Sequence, residues 1–308
     1  MYGVRLTWAQ LPPHVRAWVG DVLDGPVVGA VSQPGGFSPG SADRVVTDGD
    51  RRAFVKAVSP DQNPRTPDLH RREVEVLRTL AGLPEAPRLV AASDDGHWVV
   101  LVVEDVEGRH PSLPWTDEEV AATLHTLTCL ATRPAPPTWP ALEEELVGEM
   151  TAWSRVRESP DAPVDLDPWT VAHLSELDAL ARATLPRLAG DRIVHTDLRA
   201  DNLLVTPDGR VRVVDWPWAS RGAAWFDAAT LLLNVRWSGP LDVRPHLGAL
   251  RDLGATDEDV LGVLAGLAGY LVEAAAQPPA PGLPTLRAFQ REQGRAALAL
   301  LQELWPAG

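Results

Sequence analysis

One stretch of the chain constrains the rest. Val194 to Val205 reads VHTDLRADNLLV: a histidine, an aspartate two residues on, and an asparagine five residues after that aspartate, between apolar flanks. A second string, VRVVDW, follows the turn Thr206–Gly209 and carries Asp215. Leu203–Val205 and Val211–Val214 flank that TPDG turn, so they are expected to pair as a short hairpin. Pairing sets Asn202 and Asp215 side by side at the outer strand ends. An amide oxygen and a carboxylate there suit Mg²⁺, which takes oxygen ligands and fills the rest of its octahedron with water and phosphate. Asp197, just upstream, is left to accept a hydrogen bond from a substrate hydroxyl, and Arg199 reads equally as a charge that neutralises a phosphoryl group in transit or as a surface arginine. His195, beside Ile193 and Val194, reads as a core histidine buttressing the loop. Together these are the parts that phosphoryl transfer from a nucleotide requires.

Upstream of this loop the sequence reads as a nucleotide cradle. Val27 to Val31 is expected to be a strand, and QPGGFSPGSADRV follows it. Glycines there let backbone N–H groups approach phosphate oxygens, which makes Gly36, Ser38, Gly40 and Ser41 candidate phosphate contacts. A surface hairpin loop would look the same, and neither GxGxxG nor GxxxxGK[ST] occurs. RVVTDGDRRAFVKAV is a hairpin turning at Asp48–Gly49. Lys56 lies on its second strand and is the only lysine among 28 basic residues. Alternation puts Lys56 between Phe54 and Val58 on one face, with Ala53, Val55 and Ala57 on the other. With both faces largely apolar, its ammonium needs an anionic partner. The helix LHRREVEVLRTLAGL offers one: Glu73 shares a stripe with Leu77 and Leu80, whereas Glu75 falls on the exposed side. Glu73 as a surface partner of an arginine is the competing reading. HWVVLVVEDVEG then supplies a strand buried on both faces, Trp98–Val103, ending at a connector whose backbone near Glu104 and Val106 faces an adenine edge in a kinase-like arrangement.

The chain has 308 residues and 23 % charged residues, long enough for two lobes. The expected organisation is an α+β chain, strands early and helices late, with an N-lobe over 1–106 and a helical C-lobe over 107–308. Helices are expected after the Pro12–Pro13 entry, from Thr116 behind a capping box with Glu119, through Glu143–Glu149, from about Trp169 to Leu188, over 223–235, 245–252 and 287–304, and from Val260 behind Thr256–Asp259. The apolar run Val260–Val272 is too short for a bilayer and its glycines suit close packing. The N-terminus lacks a signal-peptide pattern, and a cytoplasmic location without membrane partners is expected. Cys129 reads as a small buried hydrophobe. Net charge is −14, which argues against nucleic-acid partners. The imbalance is concentrated after residue 106, where 28 acids face 17 bases, a net −11. Such a lobe suits a cationic substrate, or is simply a solvated acidic surface.

In these motifs the chain resembles the aminoglycoside phosphotransferase and choline kinase group of the protein-kinase-like fold. HTDLRADN is similar to the HGDLHPGN-type loop of that group, VVDW to its metal-aspartate strand, and AFVKAV with REVEVL to its lysine–glutamate pair. RGAAWFDAATLLL resembles the segment after the metal aspartate. The resemblance implies a two-lobed kinase fold and a small-molecule kinase moving the γ-phosphoryl group of ATP or GTP to a hydroxyl. It implies Asp197 as the catalytic aspartate, Asn202 and Asp215 as Mg²⁺ ligands, Lys56 with Glu73 as the phosphate anchor, and Asp227 as a brace of the catalytic loop. Thr196 stands where the group has glycine and protein kinases have arginine, which argues against control by activation-loop phosphorylation. Asp215-Trp216-Pro217 replaces Asp-Phe-Gly, and Pro39 sits inside the glycine-rich loop. A binding module without catalysis and a nucleotidyl transferase remain the alternatives, and a monomer or dimer is expected.

Overall fold

The computed structural model describes residues 6–33, 40–158, 166–279 and 284–306. Its elements are α1 (Pro13–Val22), β1 (Val27–Ser32), β2 (Ser41–Thr47), β3 (Arg52–Val58), α2 (Thr66–Thr79), β4 (Leu89–Asp94), β5 (Val99–Val103), α3 (Asp117–Ala131), α4 (Leu142–Glu145), α5 (Val147–Met150), α6 (Ala152–Glu158), α7 (Pro168–Thr184), β6 (Arg192–Val194), β7 (Leu203–Val205), β8 (Val211–Val213), β9 (Ser220–Gly222), α8 (Phe226–Ser238), α9 (Leu247–Asp252), α10 (Asp257–Ala276) and α11 (Leu286–Leu304). They fall into two compact units, Met1–His110 with Asp201–Trp218, and Pro111–Ala200 with Ala219–Gly308. A single cut after Val106 does not reproduce this division, because β7 and β8 cluster with the first unit.

The first unit is built on an antiparallel sheet of order β1-β2-β3-β5-β4. Alternation sorts β3 as its sequence requires. Ala53, Val55 and Ala57 turn to one face, where Val45, Val100 and Val102 join them under Leu11, Val15 and Val19 at the start of and along α1. Lys56 takes the other face, toward α2. All five residues of β5 are buried, as a strand paired on both edges and covered on both faces must be. Glu73, Leu77 and Leu80 are all buried on the same side of the α2 segment, and Glu75 is exposed. The β2–β3 turn differs in detail from expectation. The left-handed residue is Asp50 (φ 60°), not Gly49, and Thr47 N–H donates to the Arg51 carbonyl (2.9 Å) across a four-residue loop.

The second unit is helical, with the two-stranded β6–β9 ribbon. Its centre is α10, packed against α5, α6, α7, α8 and α11. At 20 residues α10 is long and apolar enough to cross a bilayer, contrary to the shorter run read from sequence, yet 72 % of its most apolar window is buried inside the protein. Close packing explains its glycines: a Cβ on Gly262, Gly266 or Gly269 would run into Thr184, Met150 or Trp153. Thr256 and Asp259 form the expected reciprocal cap of α10. The Thr116 cap is made on one side: Thr116 Oγ1 accepts the Glu119 N–H (3.3 Å), and the Glu119 carboxylate accepts from Ser112 N–H (3.0 Å). The helix expected through Glu143–Glu149 is broken into α4, α5 and α6. Cys129 is half-buried, with Sγ 3.9 Å from His125 Nε2, rather than a core residue.

Candidate active site

In the first unit the lone lysine finds two carboxylates. Lys56 Nζ lies 2.7 and 2.8 Å from the Glu73 oxygens and 2.6 Å from Asp215 Oδ1. The Glu73 side chain is 4 % exposed and that of Asp215 39 %, so the ammonium bridges a buried anion and an accessible one. Burial works to lower the proton affinity of Lys56, but Asp215 and Glu73 outweigh it and hold it above the ordinary lysine range. Burial raises Glu73 above the usual carboxylate range, against the pull of Lys56 and the N–H of Trp216 (3.4 Å from Oε1). The competing reading of Glu73 as a surface partner of arginine is thereby excluded.

β7 and β8 pair as expected, Leu203 opposite Val213 and Val205 opposite Val211, around Gly209 in the left-handed region (φ 80°). One residue further out, Val214 N–H donates to the Asn202 carbonyl (2.9 Å), which puts Asn202 and Asp215 next to each other. Asp215 itself is left-handed (φ 67°). Two hard oxygen donors on neighbouring strand ends, one of them accessible, fit a Mg²⁺ that keeps water and phosphate as its other ligands. Among the described residues no cluster of three or more His, Cys, Asp or Glu side chains could enclose a metal alone.

Of the expected phosphate contacts, Gly36 and Ser38 lie outside the described residues. Gly40 is left-handed (φ 108°), and a Cβ there would sit 2.7 Å from the Ala57 carbonyl, so glycine is required by β3 whatever else it does. Ser41 is buried opposite Ala57, and its hydroxyl has no hydrogen-bond partner among the described residues. In the connector the Glu104 N–H donates to the Arg88 carbonyl (2.9 Å), and the Val106 carbonyl accepts from Arg44 Nη2 (3.2 Å).

In the second unit, the loop bearing Asp197 is held by its backbone. His195 N–H and Thr196 N–H donate to the two oxygens of Asp227 at 2.7 and 3.0 Å. Ala200 N–H donates to Asn234 Oδ1 (3.2 Å), which also accepts from Trp115 Nε1 (3.2 Å). Burial raises Asp227 above the usual carboxylate range, opposed by His195 and the two N–H groups. Between these anchors Thr196 is forced left-handed (φ 73°), and Arg199 Nη1 lies 3.5 Å from Asp197 Oδ1. The Arg199 guanidinium stands 5.7 Å from the Phe289 ring centre, and Trp237 meets that ring edge-on at 5.4 Å. Tyr270 is pushed above the usual phenol range by burial first, with Glu149, Glu273 and Asp197 adding to it and Arg287 opposing.

The model of the phosphotransferase enzyme family (APH) matches residues 37–270. The chain belongs to that family. No curated protein sequence matches the chain. Solved structures that share its fold include an aminoglycoside phosphotransferase from Alicyclobacillus acidocaldarius (TM-score 0.62, 20 % identity, 96 % of this chain and 97 % of that one). A point mutant of an aminoglycoside 2'-phosphotransferase, type IIIa, in complex with GDP is similar (TM-score 0.60, 17 % identity, 94 % and 96 %). So is choline kinase LicA from Streptococcus pneumoniae (TM-score 0.59, 12 % identity, 93 % and 98 %). The protein-kinase-like α+β fold read from the motifs is the fold of this phosphotransferase.

Seen as a phosphotransferase, the chain keeps its polar and charged candidate residues in two groups: Lys56, Glu73, Asn202 and Asp215 in one unit, Asp197 and Arg199 in the other. Sequence reading missed Asn234, Phe289 and Trp237. Asn234 had a signal: it sits seven residues after Asp227 in the otherwise apolar run FDAATLLLNV, two turns along the same face of α8. Phe289 and Trp237 had none, since aromatics on amphipathic helices read as core.

Proposed function

We propose that this phosphotransferase is a small-molecule kinase that moves the γ-phosphoryl group of a nucleoside triphosphate to a hydroxyl. The observation that carries the reading is Lys56 held between Glu73 and Asp215 at 2.6–2.8 Å. A lysine so restrained has a fixed ammonium to offer phosphate oxygens, and exchanging the accessible Asp215 contact for a phosphate leaves Glu73 to orient it. Asn202 and Asp215 would hold Mg²⁺, which when bound neutralises charge on the phosphate oxygens. Asp197 accepts the proton of the acceptor hydroxyl as its oxygen forms the new bond to γ-phosphorus; the bond from γ-phosphorus to the β–γ bridging oxygen breaks, and the nucleoside diphosphate leaves. Arg199, steadied on Phe289, supplies positive charge as the phosphoryl group passes. The net charge of −11 after residue 106 favours a cationic acceptor, with aminoglycoside-type antibiotics the class to test first.

The test is a coupled ADP-release assay over a panel of amino sugars, amino alcohols and neutral polyols. Turnover on a cationic acceptor, with KM rising as salt is added, is the expected result. Pyrophosphate in place of ADP would indicate nucleotidyl transfer, and nucleotide binding without turnover on any acceptor would indicate a binding module.

A further inference from the structure

Helix α8 is buried along most of its length, and a polar side chain is tolerated there only where its groups are paired. Its buried residues include Asp227 and Asn234, seven positions and so about 10 Å apart on one face. Asp227 grips the near end of the Asp197 loop through the N–H groups of His195 and Thr196. Asn234 grips the far end, its Oδ1 accepting the Ala200 N–H at 3.2 Å. That N–H opens the turn Ala200–Asn202 and has no partner within it, so without Asn234 it would be stranded in a buried position. The same oxygen accepts from Nε1 of the buried Trp115 at 3.2 Å. Two N–H donors meet on one atom, which only the oxygen of the amide can serve. Trp115 is itself held to α8, its backbone N–H donating to Ser238 Oγ (3.4 Å) one turn beyond Asn234.

Asp197, Leu198 and Arg199 therefore span the interval between two posts on one helix. A loop fixed at one end can swing about that end, whereas a loop fixed at both has a set course. With the near post alone, the left-handed Thr196 (φ 73°) beside it holds strain that relaxes once the far end is free. Asp197 would move with it, and a displacement of about 1 Å at a reacting group can cost about 10²-fold in rate. A leucine at 234 would suit the buried helix equally well, but it would leave the Ala200 and Trp115 donors unpaired. We infer that Asn234 is a positioning residue for phosphoryl transfer, keeping Asp197 in place by fixing the far end of its loop. The inference rests on the kinase reading above and adds to it a residue that acts only through the loop.

The experiment joins amide hydrogen exchange, read residue by residue on the full-length protein, to steady-state kinetics on an acceptor from the panel above. In the wild type the Ala200 amide should exchange about as slowly as those of His195 and Thr196. Asn234→Leu should lower Ala200 protection at least about fivefold, the worth of one net hydrogen bond. It should lower kcat at least about tenfold, while Mg·ADP affinity by calorimetry changes less than about threefold. Asn234→Asp keeps an oxygen for both donors, as Asp227 does for its own pair, and should recover most of the loss. Trp115→Phe removes one donor and leaves the Ala200 bond, so Ala200 should stay protected. If Asn234→Leu does not fold, the wild-type exchange pattern and Trp115→Phe carry the test. Fast exchange at Ala200 beside slow exchange at His195 and Thr196, or wild-type kcat in Asn234→Leu, overturns the assignment and leaves the kinase reading standing. So does a loss of Ala200 protection in Trp115→Phe as large as in Asn234→Leu, which would make Asn234 a packing residue. A wild type that turns over no acceptor overturns the kinase reading and the positioning role with it.

Discussion

Thr196 is the place where a single substitution should make this protein more stable and a worse enzyme. The non-glycine residues with positive φ among the described residues are Asp24, Asp50, Asp215 and Thr196, and only threonine is β-branched. Aspartate tolerates the left-handed region because its short polar side chain bonds locally, and a β-branched residue does not. Thr196 is kept there because its N–H is committed to Asp227 at 3.0 Å, and its hydroxyl is buried without a hydrogen-bond partner among the described residues. The left-handed backbone costs about 1–2 kcal/mol. The unpaired hydroxyl costs about 1–3 kcal/mol. Against these, Thr196→Gly gives up roughly 0.5–1 kcal/mol in chain entropy and about 1.5 kcal/mol of buried carbon contacts. The balance is a stabilisation of about 1–2 kcal/mol, which in a chain of this size is a rise in Tm of about 2–5 °C.

The assay is urea unfolding of the series Thr196→Val, Thr196→Ala and Thr196→Gly. Valine removes the hydroxyl and keeps the branch, alanine removes both but keeps a Cβ, and glycine removes the strain as well. The midpoints should rise in that order. Because the strained residue precedes Asp197, relaxing it should lower kcat several-fold with little change in nucleotide KM, a trade of activity for stability. A glycine variant less stable than the wild type, or no more stable than the alanine variant, would refute the reasoning.

Three further outcomes follow from the same geometry. Asp197→Ala should lower kcat by about 10²–10⁴-fold, the usual worth of a positioned base, with Mg·ADP affinity by calorimetry within a few-fold of wild type. Lys56→Met strands the buried Glu73 carboxylate and should cost about 3–5 kcal/mol in urea unfolding; adding Glu73→Leu should recover most of that, and a double variant no better than the single one would contradict the pairing. Asp259, beside Arg187 at 2.8 Å, is held down to about 2 by that guanidinium, so its contribution to stability is complete above the unfolded carboxylate value near pH 4 and is lost as pH falls toward 2. Asp259→Asn should flatten the stability profile over that window and cost about 1–2 kcal/mol at pH 7, a figure reduced because Arg187 is mostly solvated; an unchanged acid limb would remove the pair from the account.

What the sequence could say about this molecule, and what it could not, divides along a physical line. Contacts set by local periodicity were legible. Asn202 and Asp215 are adjacent because a five-residue connection, Thr206–Arg210, joins two three-residue strands, and Glu73 is buried because it recurs with Leu77 and Leu80 at helical spacing. The Lys56–Glu73 contact was legible for a different reason: a lone lysine in an apolar strand demands a carboxylate, and the helical stripe put Glu73 on the buried side. The direct Lys56–Asp215 contact, across 159 residues, was not read from the sequence. Side chains that must choose among several arginines gave no such signal. Nothing in the order of residues says that Arg44, rather than Arg51 or Arg52, reaches the Val106 carbonyl, since neighbouring strand positions differ only in register and in which side faces the connector. Breaks in helices were equally silent. Leu142 to Glu158 carries no proline or glycine pair to mark the joints between α4, α5 and α6, and the chain bends there because Met150 and Trp153 must meet Gly266 and Gly269 of α10. That is tertiary packing overriding local propensity. The same asymmetry explains why the charged residues proposed for phosphoryl transfer were readable and their aromatic neighbours were not. A buried charge must be compensated wherever it lies, so its partner is constrained even at long range, whereas Phe289 and Trp237 satisfy the apolar pattern of α11 and α8 equally well beside Arg199 or in any other part of the core.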